Sequence, residues 1–351
     1  MSSIFPKLTS GSQAEQESGA EAETNPELYR HFARLVYSLP TSQGLLGQVK
    51  LHRHDQGWHG HPMAIVGNMV ADACFAARAS DVVVATHPKC GTTWAKALLY
   101  ATVHRAEHPP GDDAAGHPFN SVGPHECIKF LELQLYTRDR VPDLGELPDP
   151  RLFATHVPFV SLPRTIVDVT SGCKIVYVCR DPKDTFVSML AFVNKFRVRD
   201  GMEPLPVETA VEFFCEGMYM FGPYWDHVLG YWNAHLTHPE RVLFFRYEEM
   251  QRDPAAHVRR LAEFVGRPFG AGEEEDGAVV AAIVRLCSFE HMSGLKATKG
   301  GATKVVFGAI GNSSFFRRGV VGDWKEHLSP ETARRIDAIT EAKFKDSGLC
   351  M

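Results

Sequence analysis

Short β-branched runs alternate along the chain with longer stretches in which apolar residues recur every three or four positions, the pattern of an α/β protein. Three runs are continuously apolar and only a few residues long: DVVVAT from Asp81, KIVYVCR from Lys174 and RVLFFR from Arg241. Runs of that length and composition predict strands buried on both faces. RLFATHVP, from Arg151, predicts a shorter strand that ends at His156 and is stopped by Pro158. Helical spacing follows or precedes each. Trp94, Leu98 and Ala101 share one face. Leu28, Phe32 and Leu35 share another, with Asn25 as cap; so do Phe186, Leu190 and Val193 behind Asp181–Pro182, and Val258, Leu261 and Phe264 behind Asp253–Pro254. Pro124–Tyr136 is amphipathic, Val211–His235 is an aromatic stripe suited to a core, and Ser329–Pro330 opens a last helix with Gly348 at its end.

The ends and the composition narrow the picture. Residues 1–24, rich in Ser, Gln, Glu and Ala, predict a disordered tail, leaving 25–351 as one folded domain. No apolar run is long enough to span a bilayer, and no basic-then-apolar leader opens the chain. The eight scattered cysteines, with no CxxC pair, fit reduced thiols in the cytoplasm. A net charge of −5 argues against general nucleic-acid binding, so any cationic site must be local.

Candidate chemistry gathers at strand ends. After the first strand come Pro88, Lys89, Cys90, Gly91, Thr92 and Thr93, then a helix. A glycine turn leading into a helix N-terminus offers unpaired N–H groups and a positive dipole to an anion, and Lys89 adds a charge. A Walker loop needs its lysine after the second glycine; here lysine precedes a single glycine. Arg180 leaves the end of its strand, where ligands of open α/β sheets gather. Arg317, Arg318 and Gly319 put two guanidinium forks beside flexible backbone, which suits phosphate. The stretch LHRHDQGWHGHP, from Leu51, holds four histidines but no carboxylate or cysteine set for zinc, so no metal site is assigned. Ser293–Lys304, polar and glycine-rich, reads as a mobile lid or a passive loop.

PKCGTTW resembles the phosphosulfate-binding loop of the soluble, cytosolic sulfotransferases. THVP, the Arg180…Ser188 segment, FRYEEM, CSFEHM and FRRGVVGDWK then occur in that family's order. PHECIKFLE and GPYWDHVLGYW look most like the plant type. The resemblance implies a single P-loop-like α/β domain with a central, mostly parallel sheet flanked by helices. It implies 3′-phosphoadenosine 5′-phosphosulfate (PAPS) as donor, with PAP as product. Lys89, Cys90, Gly91, Thr92 and Thr93 would hold the 5′ end, and Arg180, Ser188, Arg317, Arg318 and Gly319 the 3′-phosphate. Trp94, Phe289 and Tyr247 would hold adenine. His156 would be the general base, assisted by Lys89, with Trp58 and Phe159 beside the acceptor. That acceptor would be a small hydroxyl compound of secondary metabolism: a phenol or flavonoid, a hydroxyjasmonate or a steroid-like molecule. No nucleic-acid or membrane partner is implied. Animal members carry a lysine two residues before the base; this chain has Ala154, as plant-type members accept. Arg318 stands where the family has lysine, and the KxxxTVxxxE dimer segment fails to match, so a monomer or weak dimer is expected. Two other readings remain on the sequence: a P-loop small-molecule kinase, and a non-catalytic nucleotide-binding protein of the same fold.

Overall fold

The structure, a computed structural model, describes residues 23–45, 49–55, 57–111, 116–137, 139–274 and 277–351. At its centre is a five-stranded sheet: β1 Val82–Thr86, β2 Lys129–Phe130, β3 Leu152–Thr155, β4 Lys174–Cys179 and β5 Val242–Arg246, in the order β5–β4–β1–β3–β2. Every pairing is parallel, with Val83 between Phe153 and Ile175. The apolar runs are continuous because both faces are covered. Val82 to Ala85 are at most 1% exposed, which an alternating, one-sided strand could not show.

Seven of the helices frame the sheet: α1 Pro26–Tyr37, α2 Pro62–Cys74, α3 Thr92–Val103, α4 Pro182–Arg199, α5 Tyr224–Thr237, α6 Pro254–Phe264 and α7 Pro330–Phe344. The expected caps are in place. Asn25 accepts from the Leu28 N–H at 3.1 Å, Asp181 from Lys183 at 2.7 Å, Asp253 from Ala256 at 2.9 Å and Ser329 from Thr332 at 3.1 Å. α6 packs on α3, α5 on β5, and α7 across α4 and α5. The aromatic stripe is core: Trp225, Tyr224 and Tyr231 of α5 are buried, and Tyr231 stacks on Tyr177 of β4 at 4.2 Å between ring centres.

Most of the N-terminal tail lies outside the described residues; within them, Glu23–Thr24 pairs antiparallel with Arg140–Val141. The amphipathic stretch Pro124–Tyr136 breaks into three pieces. It is a short helix to Cys127, then β2, then a π turn over Leu131–Leu135. Its backbone pairs with β3 instead of itself, and the Phe130 N–H donates to the Gln134 side chain at 2.9 Å. Ser293–Lys304 is not a loose loop. It runs through the helix Lys296–Gly300 into a hairpin of Ala302–Val305 with Gly308–Gly311, pinned by Asn312 Nδ2 donating to the Ala297 carbonyl at 2.8 Å.

Candidate active site

Four chain segments leave the carboxyl ends of β1, β3, β4 and β5 and meet over the sheet, where the strand order reverses on either side of β1. They enclose a cavity of about 330 Å³. The turn after β1 forms one end of it. Gly91 is the N-cap of α3 at φ 91°, and no side chain caps that helix. Lys89 is also left-handed, at φ 72°. A Cβ on Gly91 would come 2.7 Å from the Tyr247 ring, so only glycine lets the turn and this aromatic wall coexist. Gly91, Thr92, Thr93 and Trp94 all line the cavity.

Lys89 lays its ammonium over the Phe192 ring, 4.2 Å from the centroid. Burial, helped by the nearby charges of Lys195, Arg180 and Arg317, lowers its pKa to about 7. His156 follows β3. Its backbone N–H donates to Glu132 Oε1 at 2.8 Å, and Thr155 donates to the other oxygen of that buried carboxylate at 3.0 Å. His156 Nδ1 lies 2.8 Å from the Thr86 carbonyl oxygen. A carbonyl only accepts, so the hydrogen sits on Nδ1 and Nε2 keeps its lone pair. Burial chiefly lowers the imidazole pKa, to about 3, against the opposing hydrogen bond to the Thr86 carbonyl, with the neighbouring Lys96, His227 and Lys89 side chains adding to the effect. The ring is therefore neutral.

The opposite end is cationic and irregular. The Arg180 guanidinium lies 4.7 Å over the Tyr247 ring, donates to the Val320 carbonyl at 2.8 Å and pairs with Asp184 at 3.6 Å. Arg317 and Arg318 both pair with the buried Asp323, and Arg318 also with Glu326 at 2.5 Å. Asp184, on α4, accepts from the Gly322 and Trp324 N–H groups at 2.7 and 2.9 Å and so fastens this segment to the helix that carries Ser188. Gly319, at φ 68°, has room for no side chain: a Cβ there would meet Phe289 at 2.4 Å. Among the described residues, the buried Nε atoms of Arg180 and Arg317 have no hydrogen-bond acceptor. Two unanswered donors and two glycine cradles beside aromatic rings fit a planar base joined to anionic groups.

Of the residues expected at a nucleotide, Lys89, Gly91, Thr92, Thr93, Trp94, Arg180, Ser188, Tyr247, Phe289, Arg317, Arg318 and Gly319 share this cavity with His156. The side chains of Cys90, expected at the nucleotide, and of Trp58 and Phe159, expected at the acceptor, lie elsewhere. Cys90 turns its side chain into the core, 3.5 Å from the Thr185 hydroxyl, and burial pushes its thiol up to about 12. Trp58 sits on a strand beside the sheet, its N–H bonded to the Gly222 carbonyl at 2.9 Å and its indole near Arg53. Phe159 packs on Tyr231 and borders a separate depression with Pro223 and Gly230. Beside His156 stand instead Phe130 and Phe221, with ring centres 4.6 and 5.6 Å from the imidazole, and Phe192, Met220, Phe307 and Phe315 line the same cavity. The Trp94 ring meets Tyr247 edge-on at 5.5 Å, while Phe289 lies 5.8 Å from Phe316.

Three polar residues went unnoticed in the sequence: Lys96, His125 and Glu132, all buried. The last two fall in PHECIKFLE, where Glu132, a carboxylate between Leu131 and Leu133, was an available signal. The histidine-rich stretch gathers no metal set. Among the described residues only Asp323, Glu326 and His327 stand close enough to share an ion, and Arg317 and Arg318 already engage those carboxylates. No helix among the described residues is long and apolar enough to cross a membrane.

Comparison with known proteins agrees with this geometry. Residues 79–348 match the model of the sulfotransferase domain. Cytosolic sulfotransferase 16 of Arabidopsis thaliana is 42% identical over 330 residues, 94% of each chain. A crystal structure of an Arabidopsis thaliana protein provisionally assigned as a steroid sulphotransferase superposes with a TM-score of 0.71 at 35% identity, covering 95% of this chain and 100% of that one. Mouse sulfotransferase SULT7A1, crystallised with PAP, superposes with a TM-score of 0.60 at 27% identity, over 85% and 95% of the two chains. With a cavity that joins a glycine turn, a neutral histidine and an arginine pair, and with these relatives spanning nearly its whole length, the chain belongs to the sulfotransferase family.

Proposed function

We propose that the protein moves the sulfuryl group of PAPS to the hydroxyl of a small hydrophobic acceptor, with His156 as general base. The observation that carries this reading is the fixed tautomer. Nδ1–H is committed to the Thr86 carbonyl, so the bare Nε2 belongs to the same cavity as Lys89 and the glycine turn.

The donor supplies a sulfuryl group on a phosphate leaving group; the residues do the rest. Lys89 and the N–H groups of Gly91 to Trp94 hold the 5′ end, and Lys89 offsets charge on the leaving oxygen. Arg180, Ser188 and Arg317 hold the 3′-phosphate, where the two unanswered Nε–H groups find acceptors. Tyr247, Trp94 and Phe289 flank the base. Donors aimed in advance at developing charge are typically worth about 2.7–4 kcal/mol each. His156 accepts the acceptor's hydroxyl proton as oxygen attacks, a contribution of roughly 10²–10⁴-fold.

Phe130 and Phe221 at His156, with Phe192, Phe307 and Phe315 lining the same cavity, favour a flat or fused-ring apolar alcohol, in the range of phenols, flavonoids and steroid-like hydroxyls. Transfer of labelled sulfuryl from PAPS to a panel of such acceptors tests the proposal. Wild type should turn over at least one of them without added metal, whereas His156→Ala should bind PAP nearly normally and lose turnover. Equal loss of binding and turnover would remove His156 from the base role.

A further inference from the structure

Lys96 is buried on the inward side of α3, one turn beyond the glycine turn, and takes no direct part in the roles above. Its ammonium stands 3.2 Å from the centroid of the Phe130 ring and 3.2 Å from His125 Nδ1. The other ring nitrogen of His125, Nε2, lies 2.9 Å from Thr93 Oγ1. Thr93 and His125 both line the cavity; Lys96 does not. An ammonium has donors and no acceptor, so it sets the direction of the chain. Lys96 donates to Nδ1, the neutral imidazole carries its hydrogen on Nε2 and donates to Thr93, and the Thr93 hydroxyl is left with its own hydrogen free to point into the cavity.

We propose that Lys96 is a positioning residue that polarises Thr93 through His125, supplying positive character to the oxygens of the transferring group from a cation that never touches them. This rests on the reading that sulfuryl transfer occurs in this cavity. Hydrogen bonds in series strengthen one another where the dielectric is low, and a charged member strengthens them most. Burial lowers the ammonium pKa well below its usual range, while the carboxylates of Glu132 and Glu126 pull it upward. Burial, then Lys96, His156 and Lys89, likewise keep His125 neutral. A multiply anionic donor beside Thr93 adds to the pull of the carboxylates and favours the charged Lys96. The position also bears on Ala154. No cation projects from that strand position, and Lys96 instead brings one to the region of His156 from the neighbouring helix, near enough to lower the His156 pKa.

A double-mutant cycle at saturating PAPS, with an acceptor that wild type turns over, tests the relay. Lys96→Met replaces the amine by an apolar chain of similar length against the Phe130 ring, so Tm should hold or rise. At the same time kcat should fall at least about tenfold with PAP affinity nearly unchanged. Thr93→Val should lower kcat comparably, and in that background Lys96→Met should cost no more than about a further twofold, because the relay then has no end. If Lys96→Met does not fold, His125→Phe breaks the same chain at its middle and enters the same cycle. Unchanged kcat in the single variant, or a double-variant loss equal to the product of the single losses, overturns the relay. Failure of wild type to transfer sulfuryl at all overturns the underlying reaction instead, and the two failures are told apart by the wild-type arm.

Discussion

The two ends of the cavity hold anions by different means. At the Lys89 end the binding groups are the backbone of a helix start, set by β1 and fixed in place by the Gly91 turn. At the Arg317 end, residues 316–322 form neither helix nor strand. Carboxylates hold the segment: Asp323, a few residues on, beneath the two arginines, and Asp184, from α4, beneath Gly322 and Trp324. The first end is rigid because it is secondary structure. The second is rigid only while its ion pairs and two N–H bonds persist. The contrast separates labour: the end that must match a transition state is built on the scaffold, and the end that only anchors is a tethered strap.

That division is open to test by substitution. Lys89→Met should leave most of the PAP affinity and lower kcat by about 10²–10³-fold, because Lys89 acts on charge that develops during transfer. Single-turnover rates beside PAP titration would show it, and a loss confined to affinity would erase the contrast. Arg317→Ala should do the opposite, raising the donor Kd by about 10–100-fold with kcat at saturation little changed, as expected for a lost charge-assisted bond to a non-reacting phosphate. A pH series separates the ends further. Lys89, with a pKa of about 7, is charged below that value and neutral above it, so kcat/KM for PAPS should decline as pH rises through about 7, approaching tenfold per unit. Lys89→Arg should abolish the decline. His156, with a pKa of about 3, stays neutral over that whole range, so no acid limb should appear near the ordinary imidazole value of ~6.5. The smallest effect belongs to the strap. Asp184→Asn, which keeps one acceptor and removes the charge, should raise the donor KM by roughly five- to tenfold with kcat held. A fall in kcat alone would mean that Asp184 serves the scaffold end.

The same contrast governs what could be read in the sequence. The scaffold end is local: an apolar run, a turn and a helix within a dozen residues, so β1, Lys89 and Gly91 were legible together. Arg180 was legible because strand ends are where ligands sit. The strap's arginines were visible, but Asp184, 138 residues away from Gly322, was not, since nothing in a sequence marks a partner at that distance. Glu132 and His125 hid in an amphipathic segment that breaks into a short helix, a strand and a π turn, and Glu132 serves His156, 24 residues on. Three side chains point elsewhere than expected, each for a local reason. Cys90 lies in the loop by sequence, yet the turn that exposes its neighbours points its small side chain into the core. Trp58 is held by its strand's pairing to the Phe221–Gly222 backbone, and Phe159 is claimed by Tyr231. The glycine-rich 293–304 stretch read as a mobile lid or a passive loop, but Ala297, Thr298, Thr303 and Val305 are buried, the last two lining the cavity.

A crystal structure of the complex with PAP would test most directly whether one nucleotide spans both ends. The account predicts the 5′-phosphate on the N–H groups of Gly91 to Trp94 with Lys89, the adenine between Trp94, Tyr247 and Phe289, and the 3′-phosphate on Arg180 and Arg317 with their Nε–H groups satisfied. A 3′-phosphate lying away from both arginines, or a 5′-phosphate placed on the side of the cavity remote from His156, would contradict it.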